Sequence, residues 1–258
     1  MSRNHVARCH TGMLLGVEAH PVVVEAEVGL GLPQFQIVGM GDRAVAESRH
    51  RVRSGIVASG FDFPQRRVTV NLAPAGLRKD GSAFDLPIAI GLLAAAGEVD
   101  QRRLDRCLVA GELALDGRLR PVPGALCLAA AARDRGLEKV LLPAENAGEA
   151  AVIDGVAVLA CRTLSEAVEY LAGQRILPVG EPPGPKAWRQ DEALDLADVR
   201  GQEEARFALE VAAAGGHHLL LVGPPGTGKT MLARRLPSIL PDLSFEEALE
   251  ATRVWSAA

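Results

Sequence analysis

Apolar positions in the first forty residues fall in short runs rich in branched side chains. "LLGVEA", "VVVEAEV" and "QFQIV" are separated by "HP", "GLGLP" and "GMGD", where proline and glycine interrupt any regular element. This pattern predicts a small strand meander over residues 13–38. The period then lengthens: in "DRAVAESRHRVRSGIVASG" the apolar residues Val45, Val52 and Ile56 recur at helical spacing, Asp42 stands before them as an N-cap, and glycine closes the segment. A helix packed on the sheet is expected there. Residues 66–72, "RRVTVNL", read as the next strand. Residues 84–97, "FDLPIAIGLLAAAG", are apolar nearly all round, as a buried helix should be.

"CLVAGEL" and "GRLRPV" then read as a strand pair, residues 124–135 as a helix, "KVLLP" as a strand followed by a short helix, "VAVLA" as a strand and residues 164–171 as a helix. Strands alternating with helices give an α/β or α+β domain over residues 1–173. "LPVGEPPGPKAWRQ" is too rich in proline and glycine for a helix or a central strand, which predicts a linker over residues 174–192. Residues 193–258 then begin a second domain, with "HHLLLVG" as a buried strand and "TMLARRLPSIL" as a helix running to Pro237.

Composition sharpens this outline. A chain of 258 residues with 48% apolar and 23% charged positions is ordered and globular, and two modest domains fit its length. No run approaches the eighteen or so uncharged apolar residues that span a bilayer, and "MSRNHVARCHTG" lacks the apolar core of a signal peptide. The expected location is the cytoplasm, with no membrane partner. Cys9, Cys107, Cys127 and Cys161 are scattered without a C-x-x-C pair, so buried free thiols are expected rather than a zinc site or a disulfide framework. A net charge of −4 argues against a uniformly basic nucleic-acid binder and leaves room for a local basic surface.

The densest chemical signal is "LLLVGPPGTGKT". Gly223, Pro224, Pro225, Gly226, Thr227, Gly228, Lys229 and Thr230 meet the pattern G-x-x-x-x-G-K-[ST] at a predicted strand-to-helix turn. The unpaired N–H groups of a first helical turn carry partial positive charge, and glycine lets the backbone approach a phosphate closely. Lys229 is placed to reach the β- and γ-phosphates of ATP and the Thr230 hydroxyl to hold Mg²⁺. His217 and His218 are adjacent on the predicted strand and so point to opposite faces, which favours a place at the strand entry over a metal pair.

From "DLADVRGQEEARFALEVAAAGGHHLLLVGPPGTGKTMLARRLPSILPDLSFEEALEAT" onward the chain resembles the start of the AAA+ module of magnesium-chelatase-like ATPases of the YifB/ComM group. The segment "GLPQFQIVGMGDRAVAESRHRVRSGIVASGFDFPQRRVTVNLAPAGLRKDGSAFDLPIAIGLL" is similar to that group's N-terminal domain, which has the Lon-protease-type, ribosomal-S5-domain-2-like fold. The resemblance covers almost all of residues 4–258. It implies an α/β protein whose "DVRGQ" segment, with Val199, lies against the adenine. It also implies further copies of the chain, as a hexameric ring, and DNA as partners, in a motor promoting branch migration during natural transformation. A non-enzymatic partner- or DNA-binding module is the alternative. Arg43, Arg49, Arg51, Arg53, Arg66 and Arg67 would then form a cationic collar, or else a solvated helix face interspersed with Glu47.

A Lon-type peptidase would need a serine and a lysine. "RKDGSAFDLPIA" resembles the Lon serine segment, yet Ser82 directly follows Gly81, one position earlier than that pattern requires, and Phe84 falls nearest the nucleophile's place. In "RPVPGALCLAAAARDRG", which resembles the region supplying the lysine, Leu126, Cys127 and Leu128 carry no amine. Lys79 is the only nearby lysine and is expected in an exposed loop. A further expectation concerns turnover. An acidic strand, a sensor and an arginine finger, the last worth about 10³–10⁵ in rate, find no place in "PDLSFEEALEATRVWSAA", so negligible ATP hydrolysis and a truncated AAA+ module are expected.

Overall fold

Alternating burial carries the first two strands. In β1 (Val6–Leu15) the side chains of Cys9, Thr11 and Met13 turn inward, and in β2 (Glu18–Gly29) those of Val22, Val24 and Ala26 do the same. The computed structural model describes residues 6–184 and 194–257, which divide into two units: residues up to 183 together with 251–257, and residues 194–250.

In the first unit β1 and β2 pair antiparallel from Val6↔Glu27 to Leu15↔Glu18. There follow β3 (Gln34–Val38), α1 (Arg43–Ala58), β4 (Arg67–Ala73), α2 (Asp85–Ala96) and α3 (Gln101–Leu104), then β5 (Cys107–Val109), β6 (Glu112–Leu113) and β7 (Leu119–Arg120). α4 (Ala125–Asp134), β8 (Lys139–Pro143), α5 (Ala144–Ala150), β9 (Ala157–Cys161) and α6 (Leu164–Leu171) complete it. Seven strands form one sheet in the order β3-β4-β2-β1-β5-β8-β9, and β6 pairs with β7 separately. The β3/β4, β1/β5, β5/β8 and β8/β9 pairings are parallel, so the sheet is mostly parallel and the expected α/β class holds.

The predicted meander is corrected. β3 does not turn back on β2 but crosses over to lie parallel to β4, from Gln34↔Arg67 to Val38↔Asn71. Gly39 makes this possible: its φ of +109° is open to glycine, and a Cβ there would collide with the main chain of Leu72. The chain then enters α1, where the Asp42 carboxylate accepts from the N–H of Val45 at 2.8 Å. The expected linker start also falls inside this unit. Leu177 is buried, Val179 bridges to Leu159, and the N–H of Gly180 donates to the carbonyl of Val158 at 2.8 Å, so residues 177–180 cover the outer edge of β9.

α2 is enclosed from Asp85 to Leu93, as its apolar circumference requires. Its first residue is a fully buried carboxylate. Arg51 donates from Nε to Asp85 Oδ2 at 2.5 Å and from Nη2 to Oδ1 at 3.0 Å, the Ser48 hydroxyl donates to Oδ1, and the N–H of Leu113 donates to Oδ2 at 3.3 Å. Arg51 is therefore not part of a solvated cationic face: Asp85 takes its guanidinium inward and raises its pKa. Arg43 is likewise paired, with Glu47 at 3.0 Å.

The second unit contains the 3-10 turns Leu196–Asp198 and Leu236–Ile239, α7 (Glu203–Gly215), α8 (Lys229–Ala233) and the start of α9 (Phe245–Ala257). Leu196, Val199, Leu209 and Leu232 form its core, with Leu221 packed against them. The predicted strand "HHLLLVG" is corrected: residues 217–222 join no ladder, and Leu220 and Val222 are 84% and 85% exposed. A strand needs a neighbour to take its main-chain groups, and none of the described residues of this unit supplies one. α8 stops at Ala233, ahead of Pro237, which lies in the following 3-10 turn.

Arg51→Met should lower stability by roughly 3–5 kcal/mol in urea denaturation, because it strands the Asp85 carboxylate; a loss under 1 kcal/mol would refute the network's importance. All four cysteines are free and buried, and burial raises each thiol, Cys107 to about 11 and Cys161 to about 12. They should resist DTNB at pH 8 until urea unfolds the chain. Since these folded-state values exceed the unfolded value of 9.0, the thiol contribution to stability is complete below pH 9 and is lost as pH rises toward 11 and 12. Urea midpoints at pH 8 and pH 10.5 check the sign.

Candidate phosphate-binding site

The loop of residues 223–230 is shaped by two glycines. Gly226 at φ +85° and Gly228 at φ +82° hold left-handed conformations that side chains disfavour, and Gly228 is the N-cap from which α8 starts at Lys229. Among the described residues, the backbone N–H groups from Gly226 to Met231 donate to no protein acceptor. The first bond after them runs from the N–H of Leu232 to the carbonyl of Gly228 at 2.9 Å. A row of unpaired donors around a left-handed turn suits phosphate oxygens.

Lys229 bends back over this turn. Its Nζ donates to the carbonyls of Gly223 at 2.8 Å and Pro224 at 2.7 Å and lies 3.4 Å from Thr227 Oγ1, while the Thr227 hydroxyl itself donates to the Pro224 carbonyl at 3.0 Å. The ammonium therefore sits against the loop's own carbonyls, a position that keeps it beside the free N–H groups. Pro225, Gly226, Thr227 and Thr230 are exposed. The set of one ammonium, two hydroxyls and a row of amide donors fits a polyphosphate, and the Thr230 hydroxyl fits an oxygen-seeking cation such as Mg²⁺.

Val199 lies in the same unit's core, buried with Leu232. Its segment is thereby drawn to the helix that the loop opens. The Val199 carbonyl accepts from Arg206 Nη1 at 3.3 Å, and Gly201 and Gln202, both left-handed at φ +69° and +56°, turn the chain into α7. Leu232 was missed by motif reading; its signal is its place three residues after Lys229 on an amphipathic turn. Ser238 was missed as well. Its hydroxyl accepts from the N–H of Leu196 at 3.0 Å, and Arg235 Nε donates to the Asp195 carbonyl at 3.0 Å, so the segment after α8 ties back to the one before α7. The rings of His217 and His218 are exposed.

In the first unit the peptidase pair does not assemble. Lys79 is fully buried, which corrects the expected exposed loop. Its main chain is trapped against the turn before α1, its N–H donating to the Met40 carbonyl at 3.1 Å and its carbonyl accepting from Asp42 at 2.9 Å. Burial lowers its pKa, and its ammonium donates to the Pro74 carbonyl rather than to a serine. Ser82 donates to the carboxylate of Glu112, which Arg120 also contacts at 3.3 Å. Phe84, Leu126, Cys127 and Leu128 are buried.

Residues 24–146 match the family described as subunit ChlI of Mg-chelatase, and residues 195–258 match magnesium chelatase, subunit ChlI. The chain is 46% identical over 247 residues to the uncharacterized protein YifB of Escherichia coli (strain K12), a match covering 96% of this chain and 48% of YifB. It is 41% identical over 245 residues to the competence protein ComM of Haemophilus influenzae, covering 94% of this chain and 48% of ComM. An archaeal Lon protease of Archaeoglobus fulgidus is 43% identical over 54 residues, 21% of this chain and 9% of that protein. The chain spans about half the length of the curated relatives it matches along most of its own length. Among the described residues no helix is long and apolar enough to cross a membrane.

Because Ser82 faces a carboxylate and Lys79 faces a carbonyl, a fluorophosphonate probe should leave Ser82 unmodified, read by mass spectrometry of the tryptic peptide. Stoichiometric labelling would restore the peptidase reading. With both of its units matched by the same family and its sequence aligned to YifB and ComM almost throughout, the chain belongs to the YifB/ComM-type magnesium-chelatase-like family.

Proposed function

We propose that this chain binds ATP with Mg²⁺ at the loop of residues 223–230 and serves as the nucleotide-binding front part of a ring-forming AAA+ motor that acts on DNA. The observation that carries the reading is the row of unpaired N–H groups from Gly226 to Met231 wrapped beside the Lys229 ammonium. Phosphate oxygens would take these amide donors, and Lys229 would exchange its bonds to the Gly223 and Pro224 carbonyls for bonds to the β- and γ-phosphates. Thr230 would hold Mg²⁺ through its hydroxyl, and Val199 would line the adenine side. The ion, when bound, would neutralise negative charge on the phosphates.

Family membership supports a ring of copies, and the name of ComM, a competence protein, supports a task in competence; DNA as the substrate and branch migration in natural transformation are the proposal's own extension of that name. A cytoplasmic location accords with that work.

The test is direct. Titration of a fluorescent ATP analogue with Mg²⁺ should show saturable binding, and Lys229→Ala should weaken it at least tenfold, the loss expected for removing a charged hydrogen-bond donor from a phosphate. Equal affinity in the two proteins would overturn the assignment.

A further inference from the structure

The two edges of the seven-stranded sheet are treated differently. Residues 177–180 cover β9, whereas β3 has β4 on one side and no described segment on the other. Bare edges are sites where another chain can add a strand, and natural folds usually cover or charge them. The N–H of Gln34 donates to the carbonyl of Arg66 at 3.4 Å, so Gln34, Gln36 and Val38 turn their main-chain groups toward β4. By the alternation of a parallel ladder, the N–H and C=O groups of Phe35 and Ile37 face the open side.

α1 runs beside this edge and presents cations to it. A hollow of about 320 Å³ is lined by Gln36, Ile37, Val38, Ala46 and Arg49. A smaller one of about 80 Å³ brings Arg53 and Arg66 to Gln34 and Phe35. Arg49 thus stands by the end of β3 and Arg53 by its start. Four helical residues separate them by about 6 Å, close to the repeat of about 6.8 Å between alternate side chains of an extended strand. Among the described residues neither Arg49, Arg53 nor Arg66 forms an ion pair, although Arg43 and Arg51 on the same helix do. Arg53 rests instead over the Phe63 ring at 5.4 Å. Apolar side chains flank the strand at both ends, with Leu32 87% and Met40 61% exposed.

We propose that the β3 edge is a docking site for an extended acidic peptide segment of a partner protein. The segment pairs through the main chain of Phe35 and Ile37, and carboxylates at alternate positions meet Arg49 and Arg53. Strand addition supplies affinity through the backbone, and the arginine spacing supplies specificity. This goes beyond nucleotide binding, since the site belongs to the other unit and uses none of residues 223–230.

Fluorescence anisotropy of the 258-residue chain with a fluorescein-labelled peptide, Ser-Glu-Val-Glu-Val-Glu-Ser, tests it. Saturable binding is expected. Replacing both valines with proline, which blocks strand pairing, should abolish it, as should replacing the glutamates with lysine. The variant R49E/R53E should bind at least tenfold more weakly with an unchanged far-UV circular dichroism spectrum, because both arginines are exposed and form no ion pair among the described residues. Binding that survives proline substitution, or that R49E/R53E leaves intact, overturns the proposal, as does no binding. A labelled single-stranded oligonucleotide is the comparison: if it binds and R49E/R53E abolishes that binding while the peptide does not bind, the arginines serve nucleic acid instead.

Discussion

Asp85 places a charge out of reach of bulk solvent. A carboxylate at the start of a fully enclosed helix costs several kcal/mol unless every lone pair finds a donor, and here the donors come from three directions: Ser48 and Arg51 on α1, and the main chain of β6. The requirement fixes α1 against α2 in one rotation. With Ser48 and Arg51 committed inward, the stripe of Ala46, Arg49 and Arg53 falls on the β3 side. The buried charge thus sets which arginines are structural and which remain for a partner.

The turn before α1 is held by the same logic of satisfied main chain. Lys79 bonds through its backbone to Met40 and Asp42, and its ammonium reaches Pro74, so the loops before α1 and before α2 close over one another. A lysine used in this way is a clasp. Its lowered pKa comes from burial, and its ammonium is taken up by a carbonyl, so the perturbed amine is accounted for by packing.

Local signals were legible in the residues themselves. Asp42 capping α1, the enclosed circumference of α2, the glycine-rich turn opening α8 and the four buried thiols each depend on a few neighbouring positions. Partner choice was not. Whether β3 returns to β2 or crosses to β4 depends on Gly39 passing close to Leu72, which no periodicity encodes. Arg51 and Lys79 carry charges and therefore read as surface, and only partners far along the chain, Asp85 for Arg51 and Met40 and Asp42 for the main chain of Lys79, draw them inward. "HHLLLVG" has the composition of a buried strand, but composition cannot supply the neighbouring strand that would make it one. In the candidate site, the loop was readable because its determinants span eight residues, whereas the packing of Val199 on Leu232 joins positions more than thirty apart.

The second unit makes this contrast sharper. Its core rests on four buried side chains, yet the loop of residues 223–230 is shaped by bonds that begin and end within it, from Lys229 to Gly223 and Pro224 and from Thr227 to Pro224. A ligand that engages only the folded form adds stability in proportion to the logarithm of its concentration over its dissociation constant, about 2.7 kcal/mol at a hundredfold excess. Under the proposed function, nucleotide binding and the ordering of the segments around Val199, Leu232 and Arg235 would be one coupled equilibrium.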